Sequence, residues 1–139
     1  MSDIDNVLYY QREAVAYIRD AGSKTELMNF LTMAGDDLPK VSLPEGYKIS
    51  GCLSNSYFRV QVVDGKLKIE GSSDSCIIRG IMQLMRQCFD TYAPEAVKEV
   101  GVTWVNESGL LEHLTPQRQG AVRQMEERIK RACVCKPKE

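Results

Sequence analysis

Tyr57-Phe58-Arg59-Val60-Gln61-Val62-Val63-Asp64-Gly65-Lys66-Leu67-Lys68-Ile69 is the stretch on which the reading of the fold turns. Phe58, Val60 and Val62 alternate with Tyr57, Arg59 and Gln61, so an extended chain here is apolar on one side and polar on the other. Asp64-Gly65 supplies two residues that accept the backbone of a tight hairpin turn, and Leu67 and Ile69 resume the alternation. The pattern predicts a β-hairpin with one face against a core.

Helical patterns flank the hairpin. Downstream, Ser72-Ser73-Asp74 reads as the cap of a helix carrying Ile77, Ile78, Ile81, Leu84, Met85, Cys88 and Phe89 on one stripe, which makes Cys88 a core residue. Pro94 and Trp104 begin two shorter helical pieces. Thr115-Pro116 opens the last helix, with Val122, Met125, Ile129 and Ala132 as its buried face. Upstream, Ile4, Val7, Leu8, Gln11, Val15 and Ile18 share a helical face that stops near Gly22, with Ala14 beside it. Ser23-Lys24-Thr25-Glu26 is a capping box for a second helix, with Leu27, Met28, Phe30, Leu31 and Ala34 before a stop at Gly35. Leu38-Pro39 and Leu43-Pro44 mark an extended connection, and Tyr47-Lys48-Ile49 is a candidate strand start.

The bounds set by composition agree with a single unit. At 139 residues, 43% apolar and without an internal repeat, the chain suffices for one core, expected over residues 1–132 with a flexible tail at 133–139. Eighteen basic and nineteen acidic side chains leave a net charge of -1, which argues against nucleic acid or an anionic membrane as the partner. No apolar run is long enough to span a bilayer, and Met1-Ser2-Asp3-Ile4-Asp5 is unlike a basic secretory leader, so the expected location is the cytoplasm. Five cysteines, an odd count scattered through loop, helix and tail, do not make a disulfide framework.

Cys52 has the setting of a working thiol. Gly51 before it opens backbone conformations closed to other residues, and Ser54-Asn55-Ser56 after it favours a turn, so the sulfur is expected on a loop tip where it can meet a partner. A half-buried structural cysteine is the alternative. Asp74 reads either as a helix cap or as a contact that positions the cysteine loop. Arg118 falls in the first turn of the last helix, where a cation opposes the helix dipole, so a carboxylate or a partner surface is expected to hold it. His113, the single histidine, is a candidate base for the thiol or a packing residue ahead of Leu114. Cys133-Val134-Cys135 lacks zinc spacing and a second ligand pair, which leaves a solvated tail and no metal site. Cys76 sits near a helix start and is expected to be partly buried. Lys98, Arg123, Arg128, Lys130 and Arg131 read as solvated helix faces, since no aromatics are interleaved.

Three blocks carry a resemblance. Gly51-Cys52-x-Ser54 before the hairpin, Ser73-Asp74-x-x-Ile77-Ile78-Arg79-Gly80 after it, and Gly109-Leu110-x-x-His113-Leu114-Thr115-Pro116-x-Arg118 stand in order, preceded by Leu38-Pro39. In this respect the chain resembles the SufE family of sulfur acceptors, including SufE/CsdE-like activators of cysteine desulfurases. It departs from the family pattern at Leu53, at Asn55-Ser56-Tyr57 and at Gln117. The resemblance implies an α+β, SufE/IscU-like fold, a small antiparallel three-stranded sheet with helices packed on one face. It also implies that Cys52, supported by Gly51, Leu53 and Ser54, takes persulfide sulfur from a SufS/CsdA-like desulfurase, stimulates that enzyme and passes the sulfur to a SufBCD-like iron–sulfur scaffold. Asp74, Arg118 and His113 would then contact the partner or position the loop. No cofactor is implied on this chain, pyridoxal phosphate being the desulfurase's, and a monomer or weak homodimer is implied. It is a carrier more than a stand-alone enzyme. An iron–sulfur scaffold on the same fold would need about three cluster ligands, and an independent thiol enzyme would need an orienting base.

Overall fold

The computed structural model describes residues 2–52 and 54–134. Its order is α1 (Asp3–Asp20), α2 (Lys24–Asp36), a 3-10 turn (Glu45–Tyr47), β1 (Ser56–Val63), β2 (Lys66–Ser73), α3 (Cys76–Phe89), α4 (Pro94–Val100), α5 (Trp104–Ser108), a second 3-10 turn (Leu110–His113) and α6 (Pro116–Val134). The expected hairpin is present. Val63 faces Lys66 across Asp64 and Gly65, whose φ angles of 53° and 76° give the doubly left-handed turn that matches strand twist. Phe58, Leu67 and Ile69 are buried beneath α3 and α6. On the other face, Arg59 pairs with Glu70 across the strands at 2.7 Å.

The sheet among the described residues has two strands, not three. The Lys48 segment contributes one isolated bridge, to Tyr57, with Ile49 N–H donating to Ser56 O at 2.8 Å. The next rung is already taken. Tyr47 N–H closes the 3-10 turn onto Pro44 O, and Phe58 O accepts Arg128 Nη1 at 2.6 Å. Arg128 is therefore no solvated charge, since it also donates to Tyr47 O at 2.8 Å and to Lys48 O at 3.0 Å. Burial lowers its pKa from the ordinary arginine value, with the Arg131 charge adding to the effect. Arg123 keeps the exposed position expected of it, its guanidinium pairing with the buried carboxylate of Glu126 at 2.8 Å.

One helix end differs from its sequence reading. The cap of α3 is Ser75, whose hydroxyl accepts from Ile78 N at 3.3 Å, and not Ser72-Ser73-Asp74. Gly35 is the penultimate residue of α2, which stops one position beyond it at Asp36, and it lies buried where α2 crosses α3. A Cβ on Gly35 would stand 2.9 Å from Gly80 N, and one on Gly80 would overlap the carbonyl oxygen of Leu31. The serine half of the α2 capping box holds, Ser23 Oγ accepting from Glu26 N at 3.1 Å, while Glu26 reaches past the cap residue to accept from Gly22 N at 2.8 Å. Gln11, in the apolar stripe of α1, is buried because its amide caps α5, accepting from Thr103 N at 2.8 Å and Trp104 N at 3.1 Å. No described helix is long and apolar enough to cross a membrane.

The crossing generates a paired test. Gly80→Ala should destabilise the protein by about 1–3 kcal/mol or more, because the obstacle is backbone that cannot rotate away. Gly120→Ala, in α6 with nothing near its Cβ position, should stabilise by about 0.5–1 kcal/mol. Urea denaturation of the two variants checks both signs.

Candidate functional site

The loop bearing Cys52 is fastened at three points. Its base is closed by the Ile49–Ser56 bond. On one flank, the Gln124 side chain of α6 mimics a strand edge, accepting from Ser50 N at 3.1 Å and donating to Ser50 O at 2.7 Å. On the other, Asp74 Oδ1 accepts from Asn55 N at 3.1 Å while Asp74 N donates to Asn55 O at 3.3 Å. Between the anchors Gly51 turns the chain at φ 72°, a left-handed conformation that favours glycine. Asp74 thus contacts the cysteine loop, and the cap belongs to its neighbour Ser75.

The sulfur does not stand out on the loop tip. Cys52 is half-buried against the core, with Sγ 2.9 Å from Ser54 Oγ and 4.0 Å from Ser56 Oγ. Hydroxyls continue inward, Ser54 to Ser56 at 2.8 Å and Ser56 to Ser73 at 2.8 Å, and Ser73 Oγ accepts from Ser75 N at 3.0 Å. A backbone N–H only donates, so Ser73 keeps its own proton free to pass along the run. Directed through Ser56 and Ser54, the last proton meets the sulfur, the arrangement that a thiolate accepts. Ser56 is fully buried, and its only mark in the sequence is its place in the Asn55-Ser56-Tyr57 run that departs from the resemblance. Gln124 carried no such signal.

A cleft of about 520 Å³ opens at this point, lined by Cys52, Ser54, Asp74, Cys76, Thr115 and Arg118 among others. Four of the expected site residues are therefore together. Arg118 is half-buried, its backbone N–H reaching Thr115 Oγ1 at 3.4 Å, and among the described residues its guanidinium forms no ion pair. The carboxylate expected to hold it is not there, and the cation lines the cleft. His113 is exposed in the second 3-10 turn and does not line the cleft. Gly51 is exposed. Leu53 lies outside the described residues.

The other thiols have different surroundings. Cys88 is in the core, and burial pushes its thiol far up. Cys133 is not in a tail, since α6 runs through Val134; it is half-buried, and burial, then the nearby Glu95 carboxylate, push its thiol up to about 11. Cys76 is half-buried at the first turn of α3, with Thr32 Oγ1 3.7 Å from its sulfur. Cys135 lies outside the described residues. Among those described, no three His, Cys, Asp or Glu side chains converge as a metal site.

The family model described as SufE, Fe-S metabolism associated domain, matches residues 12–133. An uncharacterized SufE-like protein of Synechocystis sp. is 31% identical over 71 residues, covering 51% of this chain and 45% of that protein, so the match spans less than half the relative's length. An uncharacterized SufE-like protein of Rhizobium meliloti is 31% identical over 99 residues, 68% of this chain and 71% of that protein. The solution structure of a hypothetical protein from Thermus thermophilus has a TM-score of 0.66 at 19% identity, covering 91% of this chain and 97% of that one, a likeness of fold.

Thiol environment predicts alkylation order. Below its raised pKa Cys133 stays protonated, with about a thousandth ionised at pH 8, so iodoacetamide should label Cys52, at the cleft, ahead of Cys133. Between pH 8 and pH 10 labelling of Cys133 should rise about a hundredfold, while Cys88 stays unlabelled until the protein unfolds. Peptide mapping by mass spectrometry reads the order, and Cys133 reacting ahead of Cys52 at pH 8 would contradict it.

Proposed function

This chain belongs to the SufE family, and on that premise we propose that it accepts persulfide sulfur from a cysteine desulfurase onto Cys52, speeds that enzyme and hands the sulfur to an iron–sulfur assembly scaffold. The step is an exchange at sulfur. The Cys52 thiolate attacks the outer sulfur of the desulfurase persulfide, a new S–S bond forms on Cys52, and the old one breaks so that the desulfurase cysteine leaves as thiolate. Electrons and sulfur balance without an oxidant. Pyridoxal phosphate serves the desulfurase, and this chain contributes the nucleophile and the surface around it.

The observation that carries the reading is the lodging of Cys52: a half-buried sulfur beside the Ser54 and Ser56 hydroxyls, in a loop fixed at its ends, at a cleft with an arginine that forms no ion pair among the described residues. Such a sulfur is sheltered at rest, yet what it gives up to reach a partner is partial packing and weak thiol–hydroxyl contacts of about 1 kcal/mol each. Arg118 offers a cation to an acidic patch on the desulfurase, and Asp74 sets the loop from which Cys52 departs. The scaffold reading finds less support, as Cys52 has no converging ligand set among the described residues. An independent thiol enzyme finds less too, with His113 outside the cleft.

With a cysteine desulfurase and free cysteine, Cys52 should gain one sulfur by mass, and Cys52→Ser should gain none and give no stimulation. The gain in the desulfurase should lie in kcat, where persulfide clearance limits turnover, with KM for cysteine little changed. Arg118→Glu should raise the Kd for the desulfurase about tenfold while Cys52 still accepts sulfur from a small-molecule persulfide. Full stimulation by Cys52→Ser would overturn the mechanism, and an unchanged Kd for Arg118→Glu would remove that residue from the interface.

A further inference from the structure

The end of α3 remote from Cys52 borders a second surface. Between α1 and α2 runs an open groove of about 520 Å³, its apolar lining made mainly by Tyr9, Tyr10, Tyr17, Phe30 and Met33. Tyr9 is 48% exposed, Tyr10 38%, Tyr17 58% and Met33 70%, four of the seven large hydrophobic side chains exposed among the described residues. Single exposed apolar residues are ordinary, whereas a contiguous group marks an interaction site. The rings are set in place by one another. Tyr17 stacks on Phe30 at 5.2 Å between centroids, Tyr9 meets Tyr10 edge-on at 5.1 Å, and Tyr10 stacks on Tyr92 at 6.5 Å. A partner would meet aromatic surface that is already ordered, of the residue types that dominate binding energy.

The charge of the groove is one-sided. Glu13 and Asp37 line it, and no lysine or arginine does. Asp37 is the C-cap of α2, where a carboxylate opposes the helix dipole, so helix stability does not account for it. A second copy docked face to face would bring these carboxylates toward their own counterparts. A cationic segment would instead pair with them and lay its ammonium or guanidinium groups on the tyrosine faces.

We infer that this groove docks an amphipathic segment of a partner protein, one that carries lysine or arginine beside its apolar residues. A groove lined mainly by side chains of two helices suits an inserted helix. Cys76 begins α3 and Gln87 borders the groove, so the two sites are separated by roughly 16 Å along the helix at about 1.5 Å per residue. The occupant leaves the Cys52 cleft open, and the inference stands apart from the sulfur chemistry.

The test titrates the full chain with a short amphipathic helix of leucine and lysine, and with the same peptide carrying glutamate for lysine. Calorimetry gives affinity, and NMR of the Met33 methyl and the tyrosine rings gives position. The lysine peptide should bind at least about tenfold tighter than the glutamate peptide, with shifts centred on Tyr9, Tyr17 and Met33. Glu13→Lys with Asp37→Lys should remove that preference. Tyr17→Ala, at an exposed position that the fold does not need, should weaken binding about tenfold. Cys52→Ser should bind as the parent does. Equal binding of both peptides, shifts centred elsewhere, or full affinity in Tyr17→Ala would overturn the inference. So would a dimer in sedimentation that Tyr17→Ala abolishes, which would give the groove to a second copy.

Discussion

No side chain fits at residue 80. The carbonyl of Leu31 occupies the place a Cβ would take, so α2 and α3 approach backbone to backbone through Gly35 and Gly80. That approach fixes the rotation and height of α3, because one residue's slip in either helix would drive a side chain into the contact. Everything joined to the first turn of α3 inherits the position: Ser75 as its cap, Asp74 and Ser73 just before it, and through them the loop that carries Cys52. The reactive sulfur is thus located by two glycines that it never touches.

From that fixed end the site is built with short polar side chains and backbone. Asp74 and Gln124 each bind one flank of the loop through paired donor and acceptor contacts, which resist sliding as well as separation. The result is a loop held at both ends. Arg128 does similar work beneath it, three carbonyls converging on one guanidinium where a third strand would have run. A planar fork can satisfy carbonyls from two segments at once, and a strand cannot do so while its own donors close a 3-10 turn.

What was legible in the sequence follows from the range of the interactions. Alternation at Phe58, Val60 and Val62 with Asp64-Gly65 is written in adjacent residues, and the hairpin formed there, with Phe58 buried, Val60 partly so and Val62 left exposed near the turn. The Ser23–Glu26 cap is equally local. Cys52, Asp74 and Arg118 stood out through residue type and resemblance, yet their meeting in one cleft depends on how α3 and α6 pack. The failures are all non-local. Gly35 reads as a helix stop and sits next to one, but its close approach to Gly80 is not written nearby, and Arg128 looks solvated until the Lys48 segment lies under it. Ser75 and Asp74 differ by one position, and which of them caps depends on where Asn55 falls. The third strand failed because its donors and acceptors had closer partners.

The hydroxyl run beneath Cys52 bears on how the loop can open and close again. A buried carboxylate or imidazole in the same place would be stranded when its partner left, and the orphaned group would raise the barrier to departure. Serine hydroxyls both give and take, and their protons rotate about a single bond. When the sulfur withdraws, Ser56 retains Ser73, and Ser54 can turn toward water or back into the run. No buried polar group need lose its last neighbour. The resting arrangement therefore works as a latch with little memory: released without leaving an energetic scar, it re-forms by rotating protons and leaves the backbone of the fold undisturbed.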